Sequence, residues 1–353
     1  MISVAITLLL TRKKHKNVKN FWHKTALFAW ELITTDMMFL LDRGMGNEAA
    51  NEPLGTGYAH PAYPRALSEF GEPVRLAESA GWLLRRAIGN TGSYDAMGSY
   101  PLFSCQDWSG LAADFEALRD DLVSVAMVPD PFGEYDVQLL RSCFDWVVDF
   151  KSHFIIDFEG PERNVSKHHR YYARKALRDI QIAICANPED FLQDWILLYD
   201  CLIDRHGLKG IKAFSPQSFA RQFQVPGLVI FRASTPDGQS VGAHLWYVQG
   251  DVAYSHLAAV NEWGYKFSSA YAIYDAAIEY FKGKVRFMDI GSGAGSSSKD
   301  DGLTKFKEGW ANGQKNAYFC GRILNPERYL DLLETTNTQT STYFPAYRHG
   351  ELA

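Results

Sequence analysis

The sequence has 353 residues, 46% of them hydrophobic and 22% charged, which is long enough to bury two cores of ordinary domain size. A formal net charge of −5 and a pI near 6.1 exclude a global attraction to nucleic acid or to an anionic membrane, so any basic partner site has to be local. Five cysteines, an odd number with no CxxC pair, exclude a disulfide framework and a zinc knuckle and read as a reducing, cytoplasmic setting.

In chain order, residues 1–55 read as a poorly ordered leader. Ile2–Leu10 is apolar for nine residues before Arg12, Lys13, Lys14 and Lys16. That is short of the roughly 20 residues a membrane span needs, and no small-residue cleavage site follows. Met37, Met38 and Met45 leave open whether residues 1–44 belong to the natural product. From Pro61 the pattern turns globular: a strand over Gly81–Ile88, a helix over Trp108–Leu118, and an apolar run Leu122–Val128 stopped by Pro129-Asp130-Pro131. A helix over Glu134–Phe144 and a strand over Val147–Phe158 follow. Ser166 is a good N-cap for a helix whose apolar face holds Tyr172, Ala173, Ala176, Leu177 and Ile180. Ile180–Cys185 reads as a strand, and a helix from Pro188 buries Phe191, Trp195, Leu198 and Leu202 and stops at Gly207.

Beyond it, Leu228–Ala233, Val241–Val248 and Val252–Val260 form an antiparallel meander, joined by turns at Thr235–Gly238 and Gly250-Asp251. Ala270–Phe281 is an amphipathic helix, Val285–Ile290 a strand, Leu303–Trp310 a short helix and Ala317–Leu324 a last strand. The tail from Thr335 is expected to fray. Leu122–Phe158 and Val252–Ile290 share the order strand, loop, helix, strand, which reads as two degenerate copies of one unit. The expected division is residues 56–165, residues 166–330 and a tail over 331–353.

Phe287–Gly295 is a strand running into a Gly-rich loop, and it resembles the first motif of methyltransferases that use S-adenosylmethionine. In that family the motif opens a parallel sheet, whereas here an antiparallel meander precedes it and only about 60 residues follow. No Gly-Lys-Ser/Thr follows, so it is not a P-loop. No Gly-x-Ser-x-Gly elbow and no His/Cys/Asp/Glu set with metal-ligand spacing occurs.

The element order of the second half resembles the GNAT superfamily of N-acyltransferases. Within it, Met288-Asp289-Ile290-Gly291 and the block Gly302–Trp310 look like the end of a Fem-type peptidyltransferase, whose members pair two GNAT-like halves. Ser166–Ala176 is similar to the basic helix that this family carries between its halves, and the resemblance covers roughly residues 120–325. It implies an α/β fold (an α+β mixed sheet) built as a tandem of GNAT-like halves. It also implies transfer of an acyl or aminoacyl group from an activated donor, acyl-CoA first, to an amine acceptor such as a cell-wall or polysaccharide precursor. Aminoacyl-tRNA, the donor of Fem-type enzymes, finds no support in the net charge. Neither DNA nor a membrane span is expected.

Site residues follow from the matched positions. Lys307 matches the family lysine that meets negative charge, and an ammonium aimed at a tetrahedral oxyanion lowers the barrier by a few kcal/mol. Lys305 points elsewhere, and Phe306 and Trp310 pack the helix onto the sheet. Asn261–Ser269 matches the pyrophosphate loop of GNAT enzymes, with Gly264, Lys266, Ser268 and Ser269 as donor-binding candidates. Asp289, at a strand end, and His244 and His256, on adjacent strands, are candidate proton acceptors. A two-residue turn at Gly250-Asp251 puts the two imidazoles on opposite faces, and a three-residue turn pairs them. Arg170, Arg174 and Arg178 make one helical face basic, which suits a polyphosphate or nucleotide-sugar acceptor or is merely solvated. The competing functions are a catalytically inactive acyltransferase-like module that binds a glycan or nucleotide-sugar, and an S-adenosylmethionine-dependent methyltransferase.

Overall fold

A computed structural model describes residues 55–293 and 302–351. Residues 1–54, and with them nearly all of the expected leader, lie outside the described residues. The chain divides after Pro53, and all the described residues belong to the unit that begins at Leu54.

Among the described residues eleven strands are formed: β1 (Glu72–Arg75), β2 (Trp82–Ala87), β3 (Tyr94–Gly98), β4 (Ser124–Met127), β5 (Trp146–Asp157), β6 (Gln181–Ile184), β7 (Leu228–Ser234), β8 (Ser240–Gln249), β9 (Val252–Val260), β10 (Phe287–Asp289) and β11 (Gly313–Ile323). The helices are α1 (Ala62–Ala66), α2 (Leu111–Ala117), α3 (Val137–Cys143), α4 (Lys167–Ala176), α5 (Leu192–His206), α6 (Pro216–Gln222), α7 (Glu262–Phe267), α8 (Ser269–Phe281), α9 (Gly302–Glu308) and α10 (Pro326–Thr336). Local chemistry sets several ends as expected. The Ser166 hydroxyl accepts the His169 N–H at 3.1 Å to open α4, and Gly207 closes α5 in the left-handed region at φ 60°.

All eleven strands join one mixed sheet in the order β1-β2-β3-β4-β11-β5-β10-β9-β8-β7-β6. Two parallel contacts break the antiparallel pattern, β3 with β4 and β9 with β10. Each half is thus an antiparallel run, β1 to β3 or β7 to β9, followed by a short parallel strand, β4 or β10. The last strand of each half then crosses over. β5 pairs with β10 of the other half, β11 pairs with β4, and β5 and β11 pair with each other over nine positions at the centre.

Two degenerate copies are therefore present, but one strand out of the alignment read from the sequence. The unit β4–α3–β5 corresponds to β10–α9–β11, not to β9–α8–β10. Because β11 sits between two strands of the first half, neither half completes its own sheet.

Alternation along β8 to β10 builds two cores. Leu245, Tyr247, Val252 and Tyr254 face α5 and α6, while Trp246, Ala253 and Met288 face α8. A third core, with Phe103, Trp108, Phe115 and Leu140, lies under α2 and α3. Within the segment after Thr335, residues 346–348 pack back onto the fold. Tyr347 is buried, and Arg348 reaches the fully buried Asp95 with Nη2 donating to Oδ1 at 2.9 Å.

Candidate functional site

The parallel pair β9–β10 is short. β10 bridges only Val252, Ala253 and Tyr254, whereas β9 continues to Val260 with β8 along its other side. Ser255–Val260 therefore has no sheet partner on the β10 side among the described residues, and Ala258 is exposed in mid-strand. A wedge opens at the C-terminal end of β10.

The chain leaves β10 through Gly291, whose φ of 72° lies in the left-handed region. The Asp289 carboxylate accepts the Gly291 N–H at 2.7 Å, so capping this turn is one of its roles. Its other partner comes from the first half. His153 Nδ1 lies 2.8 Å from Asp289 Oδ2 and 3.0 Å from Oδ1, with the carboxylate 2% and the imidazole 13% exposed. Nδ1–H therefore donates to Asp289, which leaves the Nε2 lone pair available. His153 was missed in the sequence because only the β5–β10 pairing, Asp289 opposite Ile155, carries it there.

Lys307 converges on the same strand end from α9. Its Nζ donates to Ser292 O at 2.7 Å, and a Cβ added at Gly291 would sit 3.0 Å from it. As expected, Phe306 and Trp310 pack this helix down: Phe306 meets Tyr271 and Tyr274 edge-on, and Trp310 is 1% exposed. Gly309 makes room for the His169 ring, which a Cβ there would meet at 2.1 Å, and His169 Nε2 bonds Phe306 O at 2.8 Å.

The two histidines of the meander follow neither register anticipated for them. The turn has two residues, Gln249 opposite Val252, but a bulge follows between Leu245 and Trp246, so His256 is the extra residue and His244 lies opposite Ala258. They still end on opposite faces. His244 bonds the Ser255 hydroxyl at 2.8 Å and stacks against Trp246 and Tyr274; burial, and then the Lys307 charge, hold it well below the usual imidazole range. His256 lies in the other core, where Nδ1 accepts the Tyr58 hydroxyl at 3.1 Å and Nε2–H donates to Gln222 Oε1 at 2.9 Å. Burial pushes it down to about 3. With both ring nitrogens engaged, it is a structural histidine in this geometry.

Asn261–Ser269 is not an open loop. Residues 262–267 form α7, and the N–H groups of Gly264, Tyr265, Ser268 and Tyr271 are taken by Asn261 Oδ1, Asn261 O, Tyr265 O and Ser268 O. A Cβ at Gly264 would lie 2.2 Å from Val241 O, so that glycine serves close packing of α7 on β8. Lys266 lies over the Trp263 ring at 4.5 Å, Ser268 takes the left-handed conformation that joins α7 to α8, and Ser269 is fully buried. These engaged N–H groups are not free to receive a diphosphate in this arrangement.

Nor do the arginines of α4 join the site. Taking His169, which faces α9, as reference, Arg170, Arg174 and Arg178 are turned about 100°, 140° and 180° around the helix. They line a groove of about 330 Å³ with Lys167, Tyr171 and Lys175. The S-adenosylmethionine reading loses its frame as well. The strand before Gly291 lies between antiparallel β5 and the meander, and residues 294–300 of its glycine loop lie outside the described residues.

Also missed was Asp130, read only as part of a stop after an apolar run. It is 3% exposed just beyond β4, and the Tyr254 hydroxyl of β9 lies 2.8–2.9 Å from both its oxygens.

The chain matches no family profile and no curated protein. Among solved structures it is similar to FemX, at 12% identity and a TM-score of 0.56, over 80% of this chain and 95% of that one. It is also similar to a C-terminal domain from Agrobacterium fabrum assigned to a lysylphosphatidylglycerol synthetase (13%, TM-score 0.58, 80% and 91% covered). A third is L-PGS from Bacillus licheniformis (13%, TM-score 0.52, 77% and 94% covered). Identities this low speak for the fold alone. The chain has a Fem-like, GNAT-like fold of two halves.

Proposed function

We propose that this protein is an N-acyltransferase that moves an acyl or aminoacyl group from an activated ester or thioester to an amine, at the open end of β10. The observation that carries the reading is the convergence there of three side chains from three elements: Lys307 from α9, Asp289 from β10 and His153 from β5. The amine nitrogen attacks the donor carbonyl carbon, and the oxyanion forms beside the Lys307 ammonium. His153 Nε2 takes the N–H proton while Asp289 holds the ring through Nδ1. The C–S or C–O bond to the leaving group breaks, and the proton passes to the departing thiolate or alkoxide.

Acyl-CoA remains the first donor to test, but the spent N–H groups around α7 mean that its diphosphate would need another seat. An amine on a cell-wall or polysaccharide precursor is the proposed acceptor class. The test is thiol release from acetyl-CoA, and transfer from an aminoacyl ester, in the presence of a panel of amino sugars and peptides. Turnover that disappears in a folded Lys307→Ala variant is expected, and full turnover in that variant would sink the proposal. The α7 geometry favours one second reading, an inactive module that binds a glycan or nucleotide-sugar. Such a protein would show binding heat with the glycan, none with acetyl-CoA, and no transfer from either donor.

A further inference from the structure

We propose that the outer face of α4 is a docking surface for an anionic lipid bilayer, a site separate from the one at β10. Between Glu162 and Asp179 the chain carries no acidic residue, yet it exposes Lys167, Arg170, Arg174 and Lys175 on one helix and Arg178 in the turn that follows it. The ion pairs among the described residues all lie elsewhere, as in Arg85–Glu72, Arg286–Asp157 and Arg328–Asp331. Asp275 of α8 feels Arg174 without pairing with it. Like charges four residues apart, as in Arg170–Arg174 and Arg174–Arg178, destabilise a helix. In a chain of net charge −5, with no carboxylate among the described residues in an ion pair with them, folding does not explain the stripe.

Charge complementarity calls for a polyanion, and the apolar neighbours select which. Tyr171 is 59% and Leu177 is 50% exposed within the same surface. A nucleic acid strand would satisfy the cations and stack on Tyr171 but leave Leu177 in water. A bilayer interface takes all of them, with aromatic and aliphatic groups at headgroup level and cations against anionic lipid. Lys167 to Lys175 spans about 12 Å of helix, and the groove these cations line runs along an exposed helix face. No helix among the described residues is long and apolar enough to cross a membrane, so the contact would be peripheral.

Full-length protein is sedimented with vesicles of equimolar phosphatidylcholine and phosphatidylglycerol, and with phosphatidylcholine alone, across a salt series. Expected are binding to the mixed vesicles only, weakening as salt rises, and a loss of about fivefold per arginine, about a hundredfold for Arg170, Arg174 and Arg178→Gln together. The triple Arg→Lys variant should bind like the wild type, because diffuse attraction needs charge and not the guanidinium fork. Absence of binding to mixed vesicles, binding indifferent to salt, or a folded Gln variant that binds undiminished would each overturn the proposal. So would loss of binding in the Lys variant, which would indicate a forked phosphate site. Wild-type protein that binds a single-stranded RNA oligomer in preference to mixed vesicles would replace the bilayer with nucleic acid.

Discussion

The ends of β4 and β10 are counterparts in the two halves, and each sets a buried aspartate near a lysine that grips the following loop. Beyond β10, Asp289 pairs with a histidine that still touches solvent, and Lys307 donates to Ser292 O. Beyond β4, Asp130 is enclosed by uncharged donors, the Tyr254 and Ser104 hydroxyls, Gln249 Nε2 and the Phe132 N–H, while Lys315 donates to Pro131 O at 3.2 Å. One repeat unit holds an aspartate–histidine pair that still touches solvent in one half and a sealed polar joint in the other. The joint has its own use. Through Tyr254 and Gln249, Asp130 ties the first half to the strands that shape the wedge.

If that division is right, the largest effect falls on His153. His153→Gln should lower turnover by about 10²–10⁴-fold, the usual worth of a positioned base. Steady-state rates with kcat and KM separated check this, since a substitution that only loosens β5 would act through stability and leave kcat per folded molecule alone. Lys307→Ala comes next, with a loss of about 10²–10³-fold in kcat. Lys315→Ala is the paired control, and it should leave kcat near the wild-type value. Equal losses at the two lysines would erase the contrast between the halves.

The parts of this arrangement that depend on near neighbours were legible in the sequence. Ser166 caps α4 and Gly207 ends α5 because capping chemistry acts within one turn. Phe306 and Trp310 sort to the packed face of α9 by helical spacing alone, whereas Lys307 was singled out only by the resemblance to the Fem-type block. What escaped depends on partners far away in the chain. The His153–Asp289 contact joins residues 136 apart, and β11 enters the first half beside β4, a pairing no local pattern announces. β1 and β3 were missed because they are short and carry little alternation; the buried Asp95 of β3 is met by Arg86 nearby and by Arg348 from 253 positions on. The bulge at His256 illustrates a third limit. Turn length was left open between two and three residues; it is two, yet one unpaired residue shifted everything beyond it.

His256 offers a smaller, purely thermodynamic prediction. Its folded pKa of about 3 lies below the ordinary imidazole value of 6.5, so the unfolded chain binds more protons between those pH values. Stability is full above pH 6.5 and falls as pH drops through that window, by about 1.4 kcal/mol per unit, or about 2 kcal/mol by pH 5. Urea denaturation of the wild type and of His256→Gln at pH 7 and pH 5 should show this acid-side loss reduced in the variant. An unchanged acid limb would mean that the imidazole is not held neutral between Tyr58 and Gln222.

Asp130 runs with the opposite sign, and its effect is the smallest. Burial, opposed in part by its hydrogen bonds, raises its carboxyl above the usual carboxylate range, so the folded state holds the proton more tightly than the unfolded chain. Its contribution to stability is therefore complete below the unfolded pKa and is lost as pH rises through the folded one. Asn cannot titrate. The stability of the wild type relative to Asp130→Asn should accordingly improve from pH 7 to pH 4, measured by the same denaturation series with the turnover of both proteins compared at pH 7. A wild type that instead gains on Asp130→Asn as pH rises would mean that Asp130 is held as a carboxylate. The sealed end would then carry a charge within reach of Tyr254, and the division between a reactive half and a structural half would have to be redrawn.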